Sequence, residues 1–223
     1  MSVKAKKQGT PFVAVDTVIF TVIENKLNVL LIKIKFGPFA GRWGVSGGRV
    51  MVSETLDESA QRELYEKTGV KDVYLEQLYS FGSLKRDTRA RTISVAYFAL
   101  VDSGNVRLKA TKKYEDIGWF SVDRLGKLAY DHNEIIDYAL LRLRYKLEYT
   151  NAAYSLISEK FTLSQLQKVY EIVLGKKLDK RNFRKKILSL GLVKKAGKEK
   201  DVPYRPSKLY SFKTRKPAII EVF

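Results

Sequence analysis

The acidic side chains that are spaced for chemistry lie in one segment of the chain, residues 48–70. Three apolar residues recur there at helical spacing and predict a buried helix face: Leu56, Ala60 and Leu64. Glu63 and Glu66 fall together on another face of the same helix, so two carboxylates converge. Carboxylate oxygens are the ligands that Mg²⁺ uses when it bridges phosphates.

The full pattern of this segment resembles the Nudix box, G-x5-E-x7-R-E-U-x-E-E-x-G-U, in which U is aliphatic. The matching residues are Gly48, Glu54, Arg62, Glu63, Leu64, Glu66, Gly69 and Val70. In that family the box forms a loop, a helix and a loop. Its glutamates hold a divalent metal on the diphosphate of a nucleoside diphosphate that is linked to another group. The resemblance implies Glu63 and Glu66 as metal ligands, and Mg²⁺ as the cofactor of any hydrolysis that is retained.

Lys67 stands where the Nudix box has the second of two adjacent glutamates. An ammonium group here removes a negative charge and adds a positive one beside the proposed metal, so we expect metal affinity to be weak or lost. Glu63 and Lys67 are spaced i, i+4 in the favourable order and predict an ion pair. Ser46 also stands where the family usually has proline. We expect no catalytic residue and no required cofactor, with the remnant box kept as scaffold: Gly48, Glu54, Arg62, Glu63 and Glu66.

A second charged cluster contains Lys85, Arg86, Asp87, Arg89 and Arg91. Its four cations can clamp phosphate oxygens through charge-assisted hydrogen bonds. The segment resembles the arginine-rich loop and following strand of Nudix proteins that handle ADP-ribose. These five residues are therefore the candidate binding site for a small phosphorylated ligand. The alternative is an exposed, charged hairpin.

Runs of apolar and β-branched residues place these candidates on a mixed sheet. Strands are predicted at 12–23, 27–34, 73–81, 92–101 and 118–121, with a tight turn at 24–26. Thr55 and Glu58 form a capping-box pattern that begins a helix, and Gly69 ends it. A second capping-box pattern at 131–134 begins a helix with an apolar stripe. His132, the single histidine, lies beside this helix start and is expected to be structural rather than catalytic.

The net charge of +18 is concentrated in the last third of the chain. Residues 1–150 hold 24 basic and 18 acidic side chains, whereas residues 151–223 hold 18 and 6. Clustered cations favour a polyanionic partner, nucleic acid first and an anionic membrane surface second, because they displace phosphate counterions. A basic surface that is merely solvated is the alternative. We place the domain boundary at residue 150, which gives domains at 1–150 and 151–223.

Two short helices joined by a turn are predicted in the basic domain, the first capped at Thr162 and the second beginning at Asp179. Strands at 192–195 and 208–212 enclose a loop and form a wing. In a winged helix the second helix enters the major groove and wing cations contact phosphates. The candidate DNA-binding residues are Lys180, Arg181, Asn182, Arg184, Lys185, Lys186, Arg205 and Lys208. A solvated basic helix on a protein-binding domain is the alternative.

The two halves together predict an α+β fold, a Nudix-like sandwich of mixed β-sheet and helices followed by a small winged helix-turn-helix domain. This order resembles the Nudix-related transcriptional regulators, on residues 130–134, 161–175, 179–186 and 204–206. The resemblance implies a homodimeric repressor that binds a palindromic double-stranded DNA operator. It also implies a degenerate Nudix domain that senses ADP-ribose, in NAD metabolism, or a sugar-derived ligand. The alternatives are a Nudix hydrolase that cleaves ADP-ribose or a related nucleoside diphosphate with Mg²⁺ and, less favoured, an RNA-binding Nudix protein.

The chain contains no cysteine, which excludes disulfides and thiolate metal sites and is compatible with a reducing cytoplasm. Its first residues lack the apolar run of a signal peptide. No stretch approaches the roughly 18 apolar residues that a membrane helix needs. We therefore expect a cytoplasmic protein with no membrane partner.

Overall fold

One mixed sheet organises the N-terminal part of the computed structural model, which describes residues 9–69, 74–106, 108, 114–200, 203 and 205–220. Its strands are β1 (Phe12–Ile23), β2 (Lys26–Ile34), β3 (Trp43–Gly44), β4 (Ser46–Arg49), β5 (Tyr74–Phe81), β6 (Thr92–Leu100) and β7 (Tyr114–Ser121). The strand order is β3-β2-β1-β6-β5, with β4 also paired to β1 and β7 to β2. β1 and β6 are parallel, and the other pairs are antiparallel. The long β1 therefore supports most of the sheet.

The strands agree with their sequence patterns to within a few residues, with two differences. β7 begins four residues before the predicted start at 118. β3 and β4 lie in a glycine-rich stretch from which no strand is predicted, because glycine carries no side chain to show a strand pattern. Val73, the first residue of a predicted strand, lies outside the described residues.

The turn between β1 and β2 is confirmed as a two-residue hairpin. Glu24 and Asn25 both have positive φ, 49° and 60°. This conformation is typical of the type I′ turn, whose twist matches that of paired strands. The amide of Asn28 donates to the carbonyl oxygens of Ile23 and Lys26 and holds the hairpin closed.

Two helices, α1 (Leu56–Thr68) and α2 (His132–Tyr149), cover opposite faces of the sheet. Alternate residues of β1 explain this, since side chains along a strand point to alternate faces. Ile19 packs with Leu64 of α1, whereas Phe20 packs in the cluster that contains the buried residues of α2. Burying one such side chain contributes about 1.5–3 kcal/mol. The sandwich predicted for this domain is therefore present.

The capping boxes of the two helices have different outcomes. Thr55 and Glu58 form the predicted box on α1, and Gly69 ends that helix in the left-handed conformation. At α2 the predicted capping box is wrong, because the Asp131 side chain makes no cap hydrogen bond. Its carboxylate instead accepts two hydrogen bonds from the guanidinium of Arg86.

The C-terminal part consists of α3 (Leu163–Leu174), α4 (Lys180–Ser189), β8 (Val193–Lys198) and β9 (Lys208–Phe212), with β8 and β9 paired as an antiparallel wing. The predicted caps at Thr162 and Asp179 are both confirmed. Short 3₁₀ helices lie at Ser103–Asn105, Val122–Arg124 and Ala152–Leu156, the last at the junction after α2. A continuous apolar cluster joins α2 to α3 and α4 across this junction. Within the described ranges, no helix has both the length and the apolar content needed to cross a membrane.

Candidate functional site

The carboxylates of the remnant Nudix box are paired with two cations of α1, Arg62 and Lys67. Lys67 is fully buried, and its Nζ lies 2.5 Å from Glu63 Oε2 and 3.4 Å from Glu66 Oε2. Burial alone would lower the pKa of Lys67, but the adjacent Glu63 carboxylate raises it. The predicted i, i+4 ion pair is therefore present, and the ammonium sits between the two carboxylates that the resemblance implies as metal ligands.

Arg62 compensates the rest of the acidic cluster. Its guanidinium donates two hydrogen bonds of 2.9 Å to the Glu54 carboxylate and one of 2.6 Å to Glu63 Oε1. These hydrogen bonds from Arg62 are the main reason that the pKa of Glu54 falls from 4.5 to about 2. Gly48 allows the close approach of this cluster, because a Cβ there would lie 2.6 Å from Glu63 Oε1.

The donor set that results does not fit Mg²⁺. A divalent cation needs carboxylate oxygens that are free to coordinate it, whereas Glu54 and Glu63 are paired with buried or half-buried cations. Across the described residues, no group of three or more acidic or histidine side chains is arranged to hold a metal ion. Two cations, Arg62 and Lys67, offset two of the three box carboxylates, and Glu66 lies within 4 Å of both cations.

A cleft of about 230 Å³ opens beside the sheet, between the start of β1 and the N-terminus of α2. Three of the five predicted ligand-binding residues line it, Arg86, Asp87 and Arg89. Lys85 and Arg91 do not. Arg91 instead donates to the carbonyl oxygens of Ser83 and Thr92, and its guanidinium supports the loop.

Arg86 is buried and connects the segments that form the cleft. Its guanidinium donates to Asp16 Oδ2 at 2.7 Å and to both oxygens of Asp131. Burial would raise the pKa of Asp16, but His132 and the Arg86 guanidinium hold it far below its ordinary range. Arg86 therefore joins β1, the charged loop and the start of α2 in one network.

Arg89 belongs to the charged loop and lines the open part of the cleft. Half of its side chain is exposed. It donates to the Asp87 carboxylate and, at 2.8 Å, to the hydroxyl of Tyr130. The Tyr130 ring packs 4.3 Å from the ring of Phe39. A guanidinium beside an aromatic surface can bind a phosphate group and stack a planar ring.

His132 is structural, as expected. It is buried, and its Nδ1 accepts a hydrogen bond from the backbone N–H of Val45. Because Nδ1 is an acceptor, the other ring nitrogen carries the proton and faces Asp16 at 3.6 Å. A Cβ on Gly44 would lie 2.5 Å from Nδ1, so glycine is needed beside the ring.

Sequence reasoning misses Asp16, Arg49 and Tyr130, which also line the cleft. Asp16 carries a signal, since a carboxylate in the middle of a long apolar strand requires a partner. The sequence signal at Tyr130 is weaker, because the feature that distinguishes this residue, a positive φ of 49°, is seen only in the structure. A residue other than glycine in that conformation costs free energy and is concentrated at functional sites.

The second candidate site is the exposed face of α4 and the wing. Phe183 and Ile187 are buried against the domain, and all eight predicted DNA-binding residues are exposed. At 100° per residue, Lys185 points directly away from the buried pair, with Arg181 about 40° to one side of it and Asn182 about 60° to the other. Arg184 lies nearer α3 and donates to Ser164 Oγ at 3.2 Å. The surface therefore presents donors that suit phosphate and base-edge acceptors.

The turn between α3 and α4 is fixed by side-chain hydrogen bonds. Glu171 Oε1 accepts from the N–H of Leu178 at 3.0 Å, and Gln167 Nε2 donates to the carbonyl oxygen of the same residue. The hydrogen bond from Leu178 is the main reason that the pKa of Glu171 is lowered. These contacts hold α4 at a set angle to α3, which a recognition helix requires.

Comparison with protein families agrees with this two-part structure. The NUDIX domain model matches residues 13–141, and the model of the NrtR DNA-binding winged helix domain matches residues 153–212. The "ADPR responsive transcriptional repressor NtrR" of Acinetobacter baylyi is 36% identical over 207 residues, which cover 91% of this chain and 82% of that protein. The chain belongs to the NrtR family.

Solved structures support the NrtR assignment over the whole chain. Shewanella oneidensis NrtR in complex with a 27-mer DNA superposes with a TM-score of 0.81 at 34% identity, covering 90% of this chain and 93% of that one. The Nudix domain of the same protein, solved with ADP ribose, superposes with a TM-score of 0.56 at 32% identity, covering 63% and 94%. The NrtR fold thus accounts for both halves of the chain, and a mixed sheet with a winged helix is confirmed.

A relative with a different activity shares the Nudix half of this NrtR chain. The ADP-ribose pyrophosphatase of Methanocaldococcus jannaschii is 38% identical over 126 residues, which cover 56% of this chain and 71% of that protein. This match therefore covers about half of the chain, against 91% for the A. baylyi repressor.

Proposed function

We propose that this chain is a transcriptional repressor whose Nudix domain binds ADP-ribose or a closely related phosphorylated metabolite without hydrolysing it. The observation that carries the proposal is the buried Lys67 ammonium, which lies between Glu63 and Glu66 and takes the place of a metal. Hydrolysis in the Nudix family depends on a divalent cation at these carboxylates. A scaffold whose box carboxylates are already held by Arg62 and Lys67 keeps a cleft for the ligand and loses the means to cleave it.

Ligand binding is assigned to the cleft. Arg89 and Arg49 supply guanidinium groups at its edge, and Tyr130 supplies an aromatic surface beside Arg89. A diphosphate with a planar base and a sugar combines the features that these side chains recognise. The A. baylyi relative is described as responsive to ADPR, and the Shewanella Nudix domain was solved with ADP ribose, which supports the same ligand class here.

DNA binding is assigned to α4 and the wing. We expect Arg181 and Asn182 to meet base edges, and the exposed side chains of Lys185, Lys186, Arg205 and Lys208 to contact phosphates. We expect a homodimer on a palindromic operator, with two recognition helices about 34 Å apart. A ligand that prefers one arrangement of the dimer shifts this distance and releases the DNA.

One mobility-shift experiment tests both assignments. The protein is titrated onto duplex from upstream of its own gene cluster, with random duplex and single-stranded RNA as competitors. The repressor proposal predicts tight binding to one duplex, a steep loss of affinity as salt rises, and release by micromolar ADP-ribose. Sugar phosphates serve as the comparison ligands. Equal binding to random duplex, or preference for the RNA, would refute it.

Hydrolysis is the second candidate, because the M. jannaschii relative is an ADP-ribose pyrophosphatase. Incubation with ADP-ribose and Mg²⁺ separates the two functions. The sensor proposal predicts that ADP-ribose is recovered intact. Turnover at about 1 per second or faster, the range of ordinary enzymes, would show that the box still catalyses despite Lys67.

A further inference from the structure

The chain returns from the wing to the end of α2. Residues 213–220, which we call the strap, follow β9 directly and lie along residues 149–157. The N–H of Ile220 donates to the carbonyl oxygen of Tyr149 at 2.7 Å, and the N–H of Asn151 donates to that of Ala218 at 3.2 Å. Thr150 and Ile219 form an antiparallel bridge between these two bonds. The last turn of α2 is thus paired with the segment that leaves the wing.

The Asn151 side chain hydrogen-bonds to the backbone of the strap. Asn151 is 1% exposed, its Oδ1 accepts from the N–H of Ala218 at 2.8 Å, and its Nδ2 donates to the carbonyl oxygen of Lys216 at 2.9 Å. A buried amide that uses both its donor and its acceptor on one backbone segment fixes that segment in register. Arg215 adds to the tie by donating to the carbonyl oxygens of Tyr154 and Ile157.

The strap adds hydrogen bonds to the apolar cluster that joins α2 to α3 and α4. Elsewhere, Arg144 Nε of α2 donates to the carbonyl oxygen of Val173, near the end of α3, at 3.0 Å. Because hydrogen bonds are directional and apolar contacts are not, the strap restricts rotation of the winged helix at the end where the wing lies. The strap begins at the base of the wing, where Lys213 N donates to the carbonyl oxygen of Leu192.

We propose that Asn151 is a positioning residue for DNA recognition, which acts through the strap to hold the winged helix at a fixed orientation on α2. This inference rests on the proposed function, because orientation matters when two winged helices of a dimer must meet two half-sites at a set spacing. Once one winged helix of the dimer is bound, the other reaches its half-site intramolecularly. The strength of this second contact depends on how the dimer orients the second winged helix. Binding to a single half-site does not depend on that presentation.

The test compares Asn151→Ala with wild type on two duplexes. One is a palindromic duplex selected by the wild-type protein from a random pool, and the other is the same duplex with one half-site scrambled. We expect affinity for the palindrome to fall about tenfold, while affinity for the single half-site changes by less than about twofold. Lys216→Ala is the matched control, since this exposed residue meets Asn151 only through its backbone oxygen.

A reversible covalent tie tests the mechanism. Thr150 and Ile219 are a non-hydrogen-bonded antiparallel pair, for which Cα atoms lie about 4.5 Å apart, within the range of a disulfide. Because the chain has no cysteine of its own, Thr150→Cys and Ile219→Cys can be added to Asn151→Ala without competing thiols. We expect the oxidised triple variant to regain wild-type affinity for the palindrome and to lose it again on reduction.

Three outcomes would overturn this proposal alone, and a fourth would overturn it together with the proposed function. An equal loss on both duplexes would assign the effect of Asn151→Ala to local damage in the winged helix. Unchanged binding to both duplexes would show that the strap does not position the winged helix. If the oxidised triple variant does not regain affinity for the palindrome, the loss in Asn151→Ala does not come from a broken contact between the strap and α2. If wild type selects no palindrome, the proposed function fails and takes this inference with it.

Discussion

Replacing Glu63 with glutamine should lower the free energy of unfolding, because it removes the nearest counter-charge of the buried Lys67 ammonium. The two side chains are 3% and 0% exposed, and their charged atoms lie 2.5 Å apart. Removing one member of a buried ion pair costs about 3–5 kcal/mol, mostly because the other charge stays buried. Glu66 lies 3.4 Å from the ammonium and is one-third exposed, so we expect the lower end, about 3 kcal/mol. With a urea slope of about 2 kcal/mol per molar, the unfolding midpoint falls by about 1.5 M.

The control for this prediction is an ion pair of the same length at the surface. Lys33 and Glu115 also lie 2.5 Å apart, but their side chains are 30% and 49% exposed. Glu115→Gln should cost less than about 1 kcal/mol. The double variant Glu63→Gln with Lys67→Met should recover most of the loss, since no charge is then stranded. Equal midpoint shifts for Glu63→Gln and Glu115→Gln would refute the argument from burial.

Three further predictions concern the pH dependence and the two binding sites. Since Arg62 lowers the pKa of Glu54 from 4.5 to about 2, the stability from that carboxylate is complete above about pH 4.5 and is lost as pH falls towards 2. Urea midpoints measured across this window should show a shallower decline for Glu54→Gln than for wild type, and parallel curves would contradict this. Arg181→Ala should weaken operator binding by about 1–3 kcal/mol and relax base preference at one position, whereas Lys185→Ala should reduce the salt slope by about one without changing preference. In calorimetry, Arg89→Met should weaken ADP-ribose binding by about 1.5–3 kcal/mol, the range for a hydrogen bond to a charged group, and leave operator affinity without ligand unchanged; an unchanged ADP-ribose affinity would remove Arg89 from the site.

Much of the fold follows from local sequence patterns, because its elements are marked by strong local rules. The strand β1 has the predicted bounds, since ten of its twelve residues are β-branched or aromatic, and Gly69 ends α1 where the left-handed conformation is required. The strands β3 and β4 have no such mark, as they form only by pairing with β2 and β1. Their position depends on contacts between distant segments, which a local pattern does not contain.

The site is less predictable than the fold, for a related reason. A charged loop shows that cations are present, but not which of them faces the cleft. Arg86 and Arg89 are three residues apart, yet the first is buried on Asp16 and Asp131 while the second reaches open space. The partner Asp16 is 70 residues away in sequence. Asp131 is also distant from Arg86, by 45 residues, and this explains the wrong capping box, because Asp131 pairs with Arg86 instead of capping its own helix.

The replacement at position 67 explains how a metal-dependent scaffold can remain folded as a sensor. Glu63 is 2% exposed, and a buried carboxylate without a counter-charge is costly, so a Nudix box with glutamate at 67 is stabilised when its metal is bound. Lys67 supplies that counter-charge from within the chain, and Arg62 balances Glu54 in the same way. Three carboxylates of the box, Glu54, Glu63 and Glu66, thus share two cations of the chain. In the proposed function, the affinity for an anionic ligand depends on the cations of the cleft, and the binding free energy shifts the dimer instead of supporting hydrolysis.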